Sequence, residues 1–202
     1  EETSILENLY PFKNELSPRF IPFNRHEIMA NRFVFDHPFT EYMTEEEIDY
    51  QTGTIKNINL NMVFIGFGKV NQSLYLSNYA NNAFFVAYIM EKNVCYYAFD
   101  KDDKEYNKKF NFDFLFHEKK EKNCFEKPNL PKPLQFRKMD IYSDEFLKEI
   151  FDICEESFSN IVISYDNDSN NLDLAFNLKK VLLNRGIKKF HIYVRIVDNR
   201  FQ

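Results

Sequence analysis

The residues with the most chemical promise are Gly66 and Gly68, separated by Phe67 at the end of the apolar run "NMVFI" and followed by Lys69, Val70 and Asn71. Glycines at this spacing give a tight turn and then let a pyrophosphate come close to the backbone. A helix starting directly after them offers free amides and about half a positive charge to that phosphate. Gly66, Phe67, Gly68, Lys69, Val70 and Asn71 are therefore candidate cofactor-binding residues. A dinucleotide fingerprint carries a third glycine, for close helix–strand packing, where this chain has Asn71. Its amide must be housed by a wider helix–strand contact, cap local amides, or face the ligand.

Asp100, followed by Lys101, closes the run "VCYYAFD". A carboxylate at such a strand end accepts hydrogen bonds from ribose hydroxyls and repels a 2′-phosphate, which selects NAD or an adenine nucleotide (ATP, ADP or AMP) over NADP. The separation from Gly66 exceeds the usual gap of roughly 20 residues, so "NNAFFVAYIMEKN" reads as an insertion, and Asp100 also fits plain turn chemistry. Asp140 and Asp166 close two later runs, either at the ligand or as solvated caps. In "DNDSNNL", Asp168 or Ser169 is placed to cap a helix. Arg137 and Lys138 either lie over a base or phosphate or form a solvated strand end.

The elements that must hold these residues alternate. "NMVFIG", "VCYYAFD", "LQFRKMD", "IVISYD" and "KFHIYVRI" read as strands, and "KVNQSLYLSNYANN", "SDEFLKEIFDICEESF" and "NNLDLAFNLKKVLLNRG" as helices between them. In the second helix Ser143 is the N-cap, and Leu147, Ile150, Phe151, Cys154 and Phe158 form one stripe. The third buries Leu174, Ala175, Leu178, Val181 and Leu182 and ends at Gly186. Parallel neighbours need long return connections. The expected fold is thus α/β, a doubly wound Rossmann-like parallel sheet of at least five strands.

Residues 59–202 form this nucleotide-binding domain, with an insertion at about 103–132 between the second and third strands. Residues 1–58 form a mostly helical or irregular extension packed on it. There Ile28, Met29, Arg32 and Phe33 fit a short amphipathic helix, and Thr44 opens a capping-box pattern. Phe110 to Phe116 alternate at period two, as in an extra edge strand or hairpin.

A net charge of -5 lacks the cationic excess that polyanion binding requires, so nucleic acid is not an expected partner. No stretch has the roughly 20 apolar residues of a membrane span. The start at Glu1 reads as a piece of a longer protein, and a cytoplasmic location is expected. Cys95, Cys124 and Cys154 are far apart without CxxC spacing, which favours free thiols over a disulfide framework or zinc site. No nucleophile–base pattern accompanies the scattered His26, His37, His117 and His191. His191, inside a strand, reads as a core residue.

Taken together, "VFIGFGKVNQSL", "YYAFDKD" and "NIVISYDNDSNNLDLAFNLKKVLLNRGIKKFHIYVRIVDN" resemble the RCK/KTN family of regulator-of-potassium-conductance and potassium-transport nucleotide-binding domains. In the last block Asp168, Asn171 and Arg195 stand at matching positions. The resemblance covers about residues 60–199, departing from the family at Asn71 and at the two insertions. It implies a regulatory domain that binds NAD(H) or an adenine nucleotide, pairs with a copy of itself, and passes its occupancy to a membrane transporter or channel. The residues alone leave two other readings: the cofactor domain of an NAD-dependent oxidoreductase, and a Rossmann-like scaffold that has lost its ligand and serves protein interaction.

Overall fold

The computed structural model describes residues 24–38, 48–49, 54–55, 60–88, 94–104, 106 and 134–197. In chain order these form α1 (Arg25–Asp36), β1 (Ile48–Asp49), β2 (Thr54–Ile55), β3 (Leu60–Ile65), α2 (Lys69–Tyr88), β4 (Val94–Asp100), β5 (Gln135–Lys138), α3 (Asp144–Glu156), β6 (Phe158–Ile163), α4 (Asp168–Asn184) and β7 (Phe190–Val194). The strands β1 and β2 make a small antiparallel pair with Ile48 opposite Ile55. All the others join one parallel sheet in the order β5-β4-β3-β6-β7.

That order makes the sheet doubly wound. From β3 the chain moves outward through β4 to β5, and then returns to lay β6 on the other side of β3 and β7 beyond it. The reversal puts helices on both faces. On one face α2 delivers Val70, Leu74 and Tyr75 onto Met62, Phe64, Tyr96 and Val162. On the other, α3 and α4 bring Phe146, Ile150, Leu178 and Leu182 onto Val63, Ile65, Phe99, Ile161 and Ile163. All six residues of β3 are buried, which is why its sequence is nearly continuous apolar rather than alternating. Burying one large side chain such as Phe99 contributes about 1.5–3 kcal/mol, and its ring meets Phe146 edge-on at 5.2 Å.

Crossovers alone would leave β7 thinly covered on the α2 face. The extension fills that gap: Ala30 of α1 enters the core beside α2, Phe33 meets Tyr193 edge-on at 4.8 Å, and Ser77 Oγ donates to Asn31 Oδ1 at 2.6 Å. Ile28 and Met29 stay substantially exposed, so the inward side of α1 is the buried Ala30 with the half-buried Phe33.

Local signals set the helix ends. Ser143 Oγ accepts from Phe146 N, as its position before the apolar stripe implies. Asn167, rather than Asp168 or Ser169, caps α4, its Oδ1 accepting from Asn170 N at 3.0 Å. Gly186, at φ +85, closes α4 in a Schellman turn: Gly186 N donates to Leu183 O and Ile187 N to Leu182 O. Val181 is only half-buried beside its buried neighbours Leu178 and Leu182. Phe158 belongs to β6 and not to the α3 stripe. The helix stops at Glu156, and Ser157 is already extended, because Phe158 pairs with Leu60 in register. Solvent reaches His191, whose ring rests edge-on against Phe158, so it is not a core residue. The Thr44 pattern, the alternating Phe110 to Phe116, Cys124 and nearly all of the 103–132 insertion lie outside the described residues.

Candidate functional site

The reversal of strand order lies between β3 and β6, and ligands of open parallel sheets bind beyond the carboxyl ends of strands at such a point. The turn after β3 brings Gly66, Phe67 and Gly68 there. Gly66 adopts φ +80, and a Cβ on it would stand 3.0 Å from both Ser164 O and the Tyr165 ring. The fold itself therefore requires this glycine. Gly68 differs, because a Cβ there would meet nothing within 4 Å. The space over the second glycine is open, as a phosphate approach would need.

Gly68 precedes the first residue of α2, and its carbonyl takes the first helical bond, from Gln72 N at 3.0 Å. Asn24, Ser143 and Asn167 cap α1, α3 and α4 with side-chain oxygens. Among the described residues no side chain accepts from the amides of Gly68, Lys69 or Val70. These donors belong to the first turn of α2, where the positive end of the helix dipole lies. Val70 itself is buried in the core, so only its amide is available to a ligand. Lys69 begins α2 on the exposed surface.

Asp100 closes the far side of the turn. Its Oδ2 accepts from Phe67 N at 2.7 Å and its Oδ1 from Asp102 N at 3.3 Å, while Gly66 N donates to Phe99 O at 2.9 Å. The carboxylate thus fixes the glycine turn against the end of β4, and still has lone pairs for a ribose hydroxyl. Lys101 follows in an exposed bend.

Asn71 is fully buried and points into the helix–strand contact. Its Nδ2 donates to Gly66 O at 2.7 Å and lies 3.3 Å from both Ile65 O and Val162 O. Where a third glycine would let the helix approach, the amide bridges α2 to the ends of β3 and β6. Neighbouring Gln72 does the same for the turn, its Nε2 donating to Phe67 O at 2.9 Å.

The later acids lie in two groups. Asp140 Oδ1 accepts from Tyr142 N at 3.0 Å and its carbonyl from Ser143 N, so it shapes the turn into α3. Asp166 is fully exposed and pairs with Arg195 at 3.0 Å, and Asp168 Oδ2 accepts from Val197 N at 2.9 Å. Those last two fasten the chain after β7 to the start of α4. Arg137 is held by Glu149 and Gln135, and Lys138 by Asp103, which leaves neither over the turn.

Two further residues take part: Tyr165, which carries no signal of its own in the sequence, and Asn171, which the sequence marks only through the family resemblance. Tyr165 lays its ring against Gly66, and its hydroxyl is pushed well above its usual range by burial and then by the charges of Asp100 and Asp140 and by Tyr142. Asn171, fully buried, accepts from Tyr165 N at 2.9 Å and donates to Tyr165 O at 2.9 Å and Arg195 O at 3.1 Å. An asparagine early in a helix thus clamps each of the two strand-to-helix turns, Asn71 after β3 and Asn171 after β6. No group of three metal-ligating side chains occurs among the described residues, and none of their helices is long and apolar enough to cross a membrane. No protein-family model, curated protein or solved structure matches the chain.

Proposed function

We propose that this domain binds a nucleotide as a regulatory, non-catalytic module. The ligand's phosphates would sit over Gly68 and the amides that begin α2, and a ribose hydroxyl would reach Asp100. The observation that carries the reading is the contrast between the glycines. Gly66 has an internal structural reason, while the space and donors around Gly68 have no occupant within the described chain. Asp100 at the adjoining strand end supports NAD(H) or ATP, ADP or AMP over a 2′-phosphorylated cofactor. On the resemblance to RCK/KTN domains, the module acts as a homodimer on the cytoplasmic side, and differential affinity for two dimer arrangements shifts a linked transporter or channel.

One observation favours a second reading, an interaction scaffold without ligand: the Tyr165 ring already fills the crevice over Gly66. A thermal-shift panel of NAD, NADH, NADP, ATP, ADP and AMP separates the two. A true ligand at a hundredfold excess over its Kd stabilises by about 2.7 kcal/mol. Gly68→Val should leave the unliganded midpoint almost unchanged and abolish that gain. Absence of a shift with every nucleotide leaves the scaffold, and stabilisation by NADP alone refutes the role given to Asp100.

A further inference from the structure

The two halves of the sheet present unlike ends to the crevice at the strand-order reversal. On the β4 side the Asp100 carboxylate, bonded to Phe67 N at 2.7 Å, keeps lone pairs for a partner, and the space over Gly68 is open. Lys69, which begins α2 on the exposed surface, has no ion-pair partner among the described residues. On the β6 side the polar groups are engaged within the chain. Tyr165 N and O are each held by Asn171 at 2.9 Å, Asp166 pairs with Arg195, and Asp168 Oδ2 accepts from Val197 N. The Tyr165 ring lies so close to the turn that a Cβ on Gly66 would stand 3.0 Å from its Cε1. Arg195 also donates to Tyr165 O at 3.1 Å, so the backbone that carries the ring is fixed by two partners. The ring does not come within 4 Å of a Cβ on Gly68, and so it walls the site without filling it.

A dinucleotide lies across such a crevice, with one nucleotide on each half of the sheet. Here the second half gives it neither room over Gly66 nor an uncommitted backbone group at Tyr165. A mononucleotide needs only the first half. Its terminal phosphate is a monoester, which carries more negative charge than the diester linkage of a dinucleotide, and both Lys69 and the dipole of α2 favour that added charge. We propose that the site takes a nucleoside 5′-mono- or diphosphate and excludes dinucleotides, with the Tyr165 ring as the wall that makes the choice and Lys69 as the partner of the terminal phosphate. The selection rests on the nucleotide-binding role proposed above for the glycine turn, and narrows its ligand to one class.

The test is calorimetric titration of the whole chain with AMP, ADP, ADP-ribose and NAD. The tighter of AMP and ADP should bind at least tenfold more tightly than ADP-ribose or NAD, which differ from ADP only in what lies beyond the pyrophosphate. Tyr165→Ala should bring NAD within about threefold of ADP, while Tyr165→Phe, which keeps the ring, should retain the preference of the parent. Tyr165→Leu, which retains part of the apolar contact, serves where Tyr165→Ala does not fold. Lys69→Gln should weaken the mononucleotide at least threefold. NAD binding the parent as tightly as ADP would overturn the proposal and leave the nucleotide reading standing. An undiminished preference in the folded Tyr165 variants that lack the ring would overturn the role of Tyr165, and unchanged affinity in Lys69→Gln that of the lysine. Failure of every one of these ligands to bind the parent at millimolar concentration would overturn the nucleotide reading itself, and the selectivity with it.

Discussion

Asn71→Asp is the sharpest probe of how the glycine turn is built, because it changes one donor into an acceptor with almost no change of shape. In the parent, Nδ2 lies 2.7 Å from Gly66 O and 3.3 Å from Ile65 O and Val162 O, in a fully buried position. An ionised carboxylate cannot occupy that place. Three carbonyl oxygens would face it, and burial would strip it of its hydration. The introduced carboxyl must instead keep its proton and donate it to Gly66 O. Holding an aspartic acid neutral at pH 7, against an unfolded-state pKa of about 3.9, costs about 1.4 × (7 − 3.9), or about 4 kcal/mol. That is a large part of the roughly 5–15 kcal/mol of a typical domain. The sign follows from proton binding. Between pH 4 and 7 the folded variant holds one proton more than its unfolded chain, so its stability rises as pH falls, by about 1.4 kcal/mol per unit. Urea unfolding of parent and variant at pH 7, 6 and 5 gives the difference directly. A variant within 1 kcal/mol of the parent at pH 7, with no dependence on pH, would show that the amide does not face these carbonyls and would return Asn71 to the phosphate side.

Two further outcomes follow from buried positions. Gly66→Ala should destabilise by about 2–4 kcal/mol, since an L residue at φ +80 costs roughly 1–2 kcal/mol and crowding against Ser164 O and Tyr165 adds about as much again. Gly68→Ala should change stability by no more than about 1 kcal/mol, and equal losses in the two denaturation curves would contradict the asymmetry between them. Burial pushes the Cys154 thiol up from 9.0 to about 11, opposed by its bond with Ser159. Below pH 9 the thiol is neutral in both states. Through the interval from 9 to 11 only the unfolded chain gives up its proton, so about 2.7 kcal/mol of stability is lost. The difference in unfolding free energy between the parent and Cys154→Ala should fall by that order from pH 8 to 11, and a flat difference would refute the assignment.

The sheet was legible because its information is local. β4 occupies the segment expected of it, residues 94–100, since a run bounded by charged residues on both sides has one way to sit between two neighbours. Gly186 and Ser143 likewise fix helix ends through the bonds of their own turn. Phe158 shows where such reading stops. On a helical wheel it extends the stripe of Ile150 and Cys154, and only its pairing with Leu60, far off in sequence, makes it a strand residue. Asn167 and Asp168 are nearly equivalent caps as residue types. The choice goes to Asn167 because Asp168 is engaged by Val197 N after β7.

The same limit governs the site. Gly66, Gly68 and Asp100 could be placed together from spacing and strand ends, and the bond from Phe67 N to Asp100 joins them. The direction of the Asn71 amide depends on Val162, and the surroundings of Gly66 depend on Tyr165, both on the far side of the strand-order reversal. A residue that completes a missing glycine's contact and one that binds phosphate look alike in a sequence. They differ in what the opposite strand presents. Here the two asparagine clamps, with Gly66 O on one side and Tyr165 N and O on the other, hold both turns in fixed positions before any ligand arrives. A ligand at Gly68 would then meet donors already in place, and the ordering cost that weakens binding to flexible loops would be small.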